Sequence, residues 1–302
     1  MTHVTLIVVS RLGVWIRGMR LRTLSISIAP ILVGTAHAVA SFGRIAILPV
    51  LAATISAVAI QVATNLANDA ADGERGLDGP ARLGPPLVVG SRLMSPSEVR
   101  RGAMVATLVA ALFGLFAVLA GGVPILLIGI ASILAAWAYS NGPCPISATP
   151  LGEMFVIAYF GVAAVVGTEW LAAGQVSVDA VLLGIAIGLP AAAVLTINNH
   201  RDRVLDAANG RRTLSIVLGE RGATILYGAE LVGATMLAAL VVMPAAPRGA
   251  LLVAACVLPA LYLAIRVARM PISRALNGRL VDTVIFQLVL AVATAAALLG
   301  DW

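Results

Sequence analysis

A succession of apolar runs, each near 20 residues long and separated by polar clusters, limits this chain's folds more than any other feature. A bilayer core of roughly 30 Å is crossed by about 20 residues of helix, and inside it every backbone N–H and C=O must find a partner. Nine runs meet that length, at roughly 23–42, 46–67, 103–121, 124–140, 153–173, 180–199, 223–243, 249–266 and 281–300. Only 11% of the residues are charged, against about 25% in soluble chains. The expectation is an all-α integral membrane protein with about nine transmembrane helices, forming one domain over residues 1–302. The first residues lack the basic region and small-residue cleavage site of a secretory signal, so the first span should be retained.

Charge sets the orientation. With the N-terminus inside, eighteen of the twenty arginines fall in cytoplasmic segments, and only Arg44 and Arg248 fall outside. The positive-inside tendency therefore predicts N-in and C-out, at the cell's inner (cytoplasmic) membrane. It also accounts for the sequence pI of about 10.3, so nucleic acid is not an expected partner. All basic residues are Arg and none is Lys, which reads as compositional bias of the source rather than as selection for guanidinium. The inner connections after the second and sixth spans read as long, about thirty and about twenty residues. Loops of that length commonly serve as lids or binding loops, so chemistry is expected at the cytoplasmic face.

Two acidic strips stand at those inner ends. Asn65, Asn68, Asp69 and Asp72 recur at three- and four-residue steps, as do Asn198, Asp202 and Asp206, spacings that share one side of a helix. A helix C-terminus already carries about half a negative charge, so adding carboxylates there is unfavourable unless a cation joins them. Cys144 and Cys256 lack metal-ligand spacing, and the histidines are scattered. Any metal would be held by oxygen, which favours Mg²⁺ with water and substrate phosphates completing its shell. Arg20, Arg75, Arg82, Arg211 and Arg212 flank the strips, and guanidinium forks match phosphate oxygens. The chemistry this suggests is ionisation of an allylic diphosphate. The carbocation so formed would be shielded by aromatic faces, best by Tyr139 at the inner end of the fourth span.

At these residues the sequence resembles the UbiA family of intramembrane prenyltransferases. Asn68-Asp69-Ala70-Ala71-Asp72 with Gly76 and Asp78 is similar to the family's first aspartate motif, and Asp202 to Asp206 to its second. NLAND at 65–69, RLGP at 82–85, the turn from Asn141 to Pro145, LGE at 151–153 and NNHRD at 198–202 resemble the branch that prenylates 1,4-dihydroxy-2-naphthoate. The resemblance implies nine helices around a cytoplasm-facing cavity, and Mg²⁺-dependent transfer of a polyprenyl chain from polyprenyl diphosphate, with loss of the acceptor's carboxylate. It implies Asn68, Asp72, Asp202 and Asp206 as metal ligands with Asp69 in support; with Tyr139 from its place at the span end, Asp69, Asp72 and Asp202 form the expected catalytic set. Diphosphate contacts are expected from Arg20, Arg75, Arg82, Arg211, Arg212, Asn65 and Asn198. Another acceptor, such as 4-hydroxybenzoate, stays open. So does a secondary transporter, although transporter acids sit near the bilayer midplane whereas these stand at span ends.

Overall fold

The computed structural model describes residues 10–77, 79 and 82–300. Among them every regular element is helical. Eight stretches are long and apolar enough to cross a bilayer: α2 (Ser25–Phe42), α3 (Ile47–Glu74), α4 (Pro96–Ser140), the α5–α6 segment (Gly152–Ala173), α7 (Val178–Ala208), α8 (Leu214–Val242), the α9–α10 segment (Pro247–Ala268) and α11 (Leu276–Leu299). The expected third and fourth spans are both within α4, whose 45 residues exceed any single crossing. Its backbone leaves the helical region at Gly122, with φ 65° and ψ −153°, a conformation open to glycine but costly for residues with a Cβ. Trp137 Nε1 donates to Thr107 Oγ1 at 3.1 Å, although thirty residues of straight helix would separate them by about 45 Å. The two limbs of α4 therefore lie side by side. Trp170 Nε1 caps the Gly121 carbonyl at that bend, at 2.8 Å.

A short helix, α1 (Arg11–Met19), precedes the spans and is too short to cross. It packs Val14 and Trp15 into a cluster with Leu66, Val88 and Ala103, while Leu12 and Ile16 face outward. The loop expected after the sixth span is largely helix instead. Helix α7 runs on to Ala208 and α8 begins at Leu214, because polar strips at the interface continue a helix as readily as leave it.

Helix α7 is the most enclosed span and α4 the most lipid-exposed. Small residues let neighbours approach α7 closely, as in other membrane bundles. A Cβ on Gly161 would come within 2.3 Å of the Gly184 carbonyl oxygen. Gly161 belongs to a π-helical turn, Ala158–Ala163, between α5 (Gly152–Ile157) and α6 (Ala164–Ala173). Such turns are rare and shift the side chains that follow them around the helix. Here Phe155, Tyr159 and Phe160 all reach one cavity.

Candidate active site

That cavity holds about 620 Å³ and is bounded by α2, α3, both limbs of α4, the α5–α6 segment and α7. It follows α3 from Ala53 to Asp72, nineteen residues and about 28 Å of helix, close to the hydrocarbon thickness. Ile31, Leu115, Ile125 and Leu171 line it along with Arg20, Asn65, Asn68, Asp72, Arg82, Asn198, Asp202, Asp206 and Arg211. The polar group comes from the last turns of α3 and α7 and the connections beside them. The space is thus a long apolar slot with a charged mouth.

The two acidic strips meet at that mouth. Arg211, just past the end of α7, donates from Nη2 to Asp72 Oδ1 at 3.1 Å and from Nη1 to Asp206 Oδ1 at 3.2 Å. One guanidinium therefore joins carboxylates 134 positions apart in the chain. Burial opposes its charge, yet Asp72 and Asp206 outweigh burial and hold the Arg211 pKa above its ordinary value. Asp202 has its own counter-ion. Arg201 donates Nε to Asp202 Oδ1 at 3.0 Å and Nη2 to Asp202 Oδ2, and reaches Asn198 Oδ1 at 2.8 Å. Each carboxylate at the mouth is paired with a guanidinium, but Asp72 and Asp206 share one, which leaves the group short of positive charge.

Arg20 enters from the turn after α1. Its φ of 55° is left-handed, a strained conformation for a side chain of this size. Asn65 Nδ2 donates to the preceding Met19 carbonyl at 3.0 Å and holds the turn. Arg20 Nη2 then donates to Asn68 Oδ1 at 3.0 Å, and Asn68 Nδ2 to Asp72 Oδ2 and Ser140 Oγ, both at 3.2 Å. A continuous polar chain runs from Arg20 through Asn68 and Asp72 to Arg211 and Asp206. Tyr139 lines the same cavity, within electrostatic reach of Arg20, Arg211 and Asp72.

Three expected site residues stand elsewhere, for identifiable reasons. Asp69, read from spacing as sharing the strip, is 1% exposed and turned away from the cavity. Its Oδ2 and Oδ1 accept the backbone N–H groups of Val88 and Val89, at 2.9 and 3.0 Å. An offset of one residue on a helix is about 100°, enough to move a side chain from one neighbour to another. Arg75 is exposed and donates to the Gly142 carbonyl at 3.2 Å. Arg212 is exposed, and its backbone N–H pairs with the Ala148 carbonyl at 2.8 Å. Asp78 of the first motif lies outside the described residues.

By sequence Arg201 is only one of the inside-positive charges. In the fold it is among the most deeply buried side chains, and it also donates to Asn277 Oδ1 at 2.6 Å, while Asn277 Nδ2 holds the Leu83 carbonyl at 3.0 Å. A Cβ on Gly84 would lie 2.7 Å from Arg201 Nη2, so the 82–91 loop rests directly on this arginine. The available signal was an Arg inside the second acidic strip rather than beside it. Asn277 carried no signal, since it begins a distant helix.

The donors fit a hard divalent cation. Asp72, Asp202, Asp206 and Asn68 offer oxygen only, and the charge now supplied to Asp72 and Asp206 by one guanidinium marks a place where positive charge is required. Among the described residues no three His, Cys, Asp or Glu side chains converge as ligands. The protein thus offers part of a coordination shell, the arrangement of sites that Mg²⁺ fills together with substrate phosphates.

Residues 27–277 match the family model described as the UbiA prenyltransferase family. The chain is 36% identical over 291 residues to 1,4-dihydroxy-2-naphthoate octaprenyltransferase of Mycobacterium tuberculosis, covering 94% of this chain and 96% of that protein. It is 36% identical over 238 residues to the enzyme of the same name from Escherichia coli, covering 77% of each. Among solved structures, a UbiA homolog from Archaeoglobus fulgidus bound to GPP and Mg²⁺ superposes with a TM-score of 0.66 at 14% identity, over 94% of this chain and 99% of that one.

Proposed function

Because the chain belongs to the UbiA prenyltransferase family, we propose that it transfers a polyprenyl chain from polyprenyl diphosphate to 1,4-dihydroxy-2-naphthoate, releasing the acceptor's carboxyl group as CO₂. The relatives' shared name supports the acceptor. The observation that carries the reading is the Arg211 bridge between Asp72 and Asp206 at the mouth of an apolar slot. A diphosphate headgroup suits the mouth and a prenyl tail suits the slot.

Asp72, Asp202, Asp206 and Asn68 would hold Mg²⁺, which when bound would neutralise charge developing on the leaving diphosphate. Arg20, Arg82 and Arg211 are within the same mouth, where guanidinium forks take phosphate oxygens. Asp72 and Asp206, which Arg211 bridges, would hold the metal, and Arg211 in the same mouth would take phosphate oxygens. Arg201 and Asn198 keep Asp202 in place, and Asn65 keeps Arg20 in place. Tyr139, Phe155 and Tyr159 form a ladder, with ring centroids 6.2 and 4.6 Å apart. Their faces shield an allylic cation, and the apolar slot keeps water from it. Asp69 acts at one remove by fastening the 82–91 loop.

The protein is a single domain that crosses the cell membrane nine times, α4 twice, with the N-terminus and the charged mouth cytoplasmic. The distribution of arginine supports this orientation. The direct test offers purified protein labelled polyprenyl diphosphate with 1,4-dihydroxy-2-naphthoate or 4-hydroxybenzoate, with Mg²⁺ or with chelator. Prenylated naphthol and CO₂ in equal amounts, dependent on Mg²⁺, are expected. Product from 4-hydroxybenzoate alone would remove the naphthoate reading.

A further inference from the structure

A second polar group adjoins the aromatic ladder and takes no part in holding the diphosphate. Glu153 opens α5 and is 3% exposed. Its Oε1 accepts from Asn199 Nδ2 at 3.1 Å, while Oε2 is buried without a partner. The pairing depends on close helix contact, since a Cβ on the adjacent Gly152 would lie 3.1 Å from Leu195 Cδ2 on α7. Asn199 lines the cavity, as do Phe155, Tyr159 and Ser147, whose buried hydroxyl also has no partner. Tyr139 is within electrostatic reach of Glu153.

The bond fixes which way an amide faces. Asn199 turns its –NH₂ to Glu153 Oε1, which leaves Oδ1 as the atom it can offer the cavity. An amide oxygen set beside aromatic faces suits a ring hydroxyl. We propose that Asn199 is the hydrogen-bond acceptor for a hydroxyl of the aromatic substrate, with the ring against the Tyr139–Phe155–Tyr159 ladder and Glu153 as the positioning residue that sets the amide. The inference rests on the function proposed above and names the acceptor subsite that function requires. Buried polar groups left unpaired by an analogue that lacks the hydroxyl give strong discrimination against it. Asn199 would thereby select hydroxylated naphthoates, while Asn198, one residue earlier, faces Arg201 and the headgroup.

The test compares 4-hydroxy-2-naphthoate, whose hydroxyl is not tied to the ring's own carboxylate, with 2-naphthoate as competitive inhibitors against 1,4-dihydroxy-2-naphthoate. Wild-type protein should bind the hydroxylated analogue about tenfold tighter, the worth of one hydrogen bond. In Asn199→Leu the ratio should fall toward one, and in Glu153→Gln, whose amide lets Asn199 invert, it should shrink at least about threefold. KM for polyprenyl diphosphate should stay within about threefold of wild type in both. Asn199→Ser gives the same reading should the leucine variant not fold. A ratio unchanged in these variants, or a shift confined to KM for polyprenyl diphosphate, overturns the assignment. Failure of the wild-type protein to prenylate dihydroxynaphthoate counts instead against the parent reading, and the wild-type control reports it separately.

Discussion

Asp69 and Asp72 lie three residues apart on one helix, and the structure predicts opposite consequences for the same substitution. The Asp69 carboxylate accepts two backbone N–H groups in a setting closed to water. Hydrogen bonds to a charged group contribute about 1.5–3 kcal/mol each, and a buried donor left unpaired costs about 1–3 kcal/mol. Asn at 69 keeps one oxygen for one N–H and turns an –NH₂ toward the other. One charged bond becomes neutral and one donor is orphaned, a loss of about 2–4 kcal/mol. At roughly 2 °C per kcal/mol for a chain of this size, the melting temperature should fall by about 4–8 °C. Asp72 instead faces Arg211 and the strip beyond it. Asp72→Asn can keep the Asn68 contact, and Arg211 retains Asp206, so the melting temperature should fall by less than in Asp69→Asn while turnover is lost. The assay is intrinsic-fluorescence melting in detergent beside prenyl transfer under saturating substrates. Asp69→Asn with wild-type melting and abolished turnover would refute the reasoning, since it would put Asp69 in the chemistry rather than under the loop.

Further outcomes follow from the same contacts. Arg211→Gln should raise KM for polyprenyl diphosphate by about tenfold or more, through the loss of charge-assisted phosphate contacts; steady-state kinetics with the donor varied would show otherwise if KM held. Because Asp72 and Asp206 outweigh burial and raise the Arg211 pKa above its ordinary value, its stabilisation is fully present across the neutral range and lost only as pH rises through the folded pKa. Melting between about pH 6 and 10 should therefore show no transition that the Arg211→Gln variant lacks. Asn277→Ala orphans the Leu83 carbonyl and one Arg201 donor. It should cost about 1–3 kcal/mol and speed limited proteolysis in the 82–91 loop, and an unchanged cleavage rate would separate that loop from Arg201. Gly122→Ala places a Cβ at φ 65° and ψ −153°, a region nearly confined to glycine, and should destabilise by about 1–3 kcal/mol, seen as reduced melting temperature with KM values intact.

The sequence alone determined that the chain is a helical membrane protein, because apolar length and backbone pairing in lipid leave few alternatives. It also marked the ends of the two acidic strips as the place where polar residues gather, though not which members would face it, because Asn and Asp at helical spacing are too costly at a bilayer edge to be incidental. Asp72, Asp202, Asp206, Asn68 and Arg211 were legible in this way. Periodicity places a side chain on a side of its own helix, but it says nothing about which neighbour occupies that side. Only the tertiary structure decided that Asp69 serves the loop at Val88 and Val89 while Asp72 serves the cavity, that Arg75 and Arg212 point outward, and that Arg201 is buried against Asp202 and Asn277. Most of those outcomes depend on contacts between residues 19 to 194 positions apart, whose energies come from packing that no local pattern encodes.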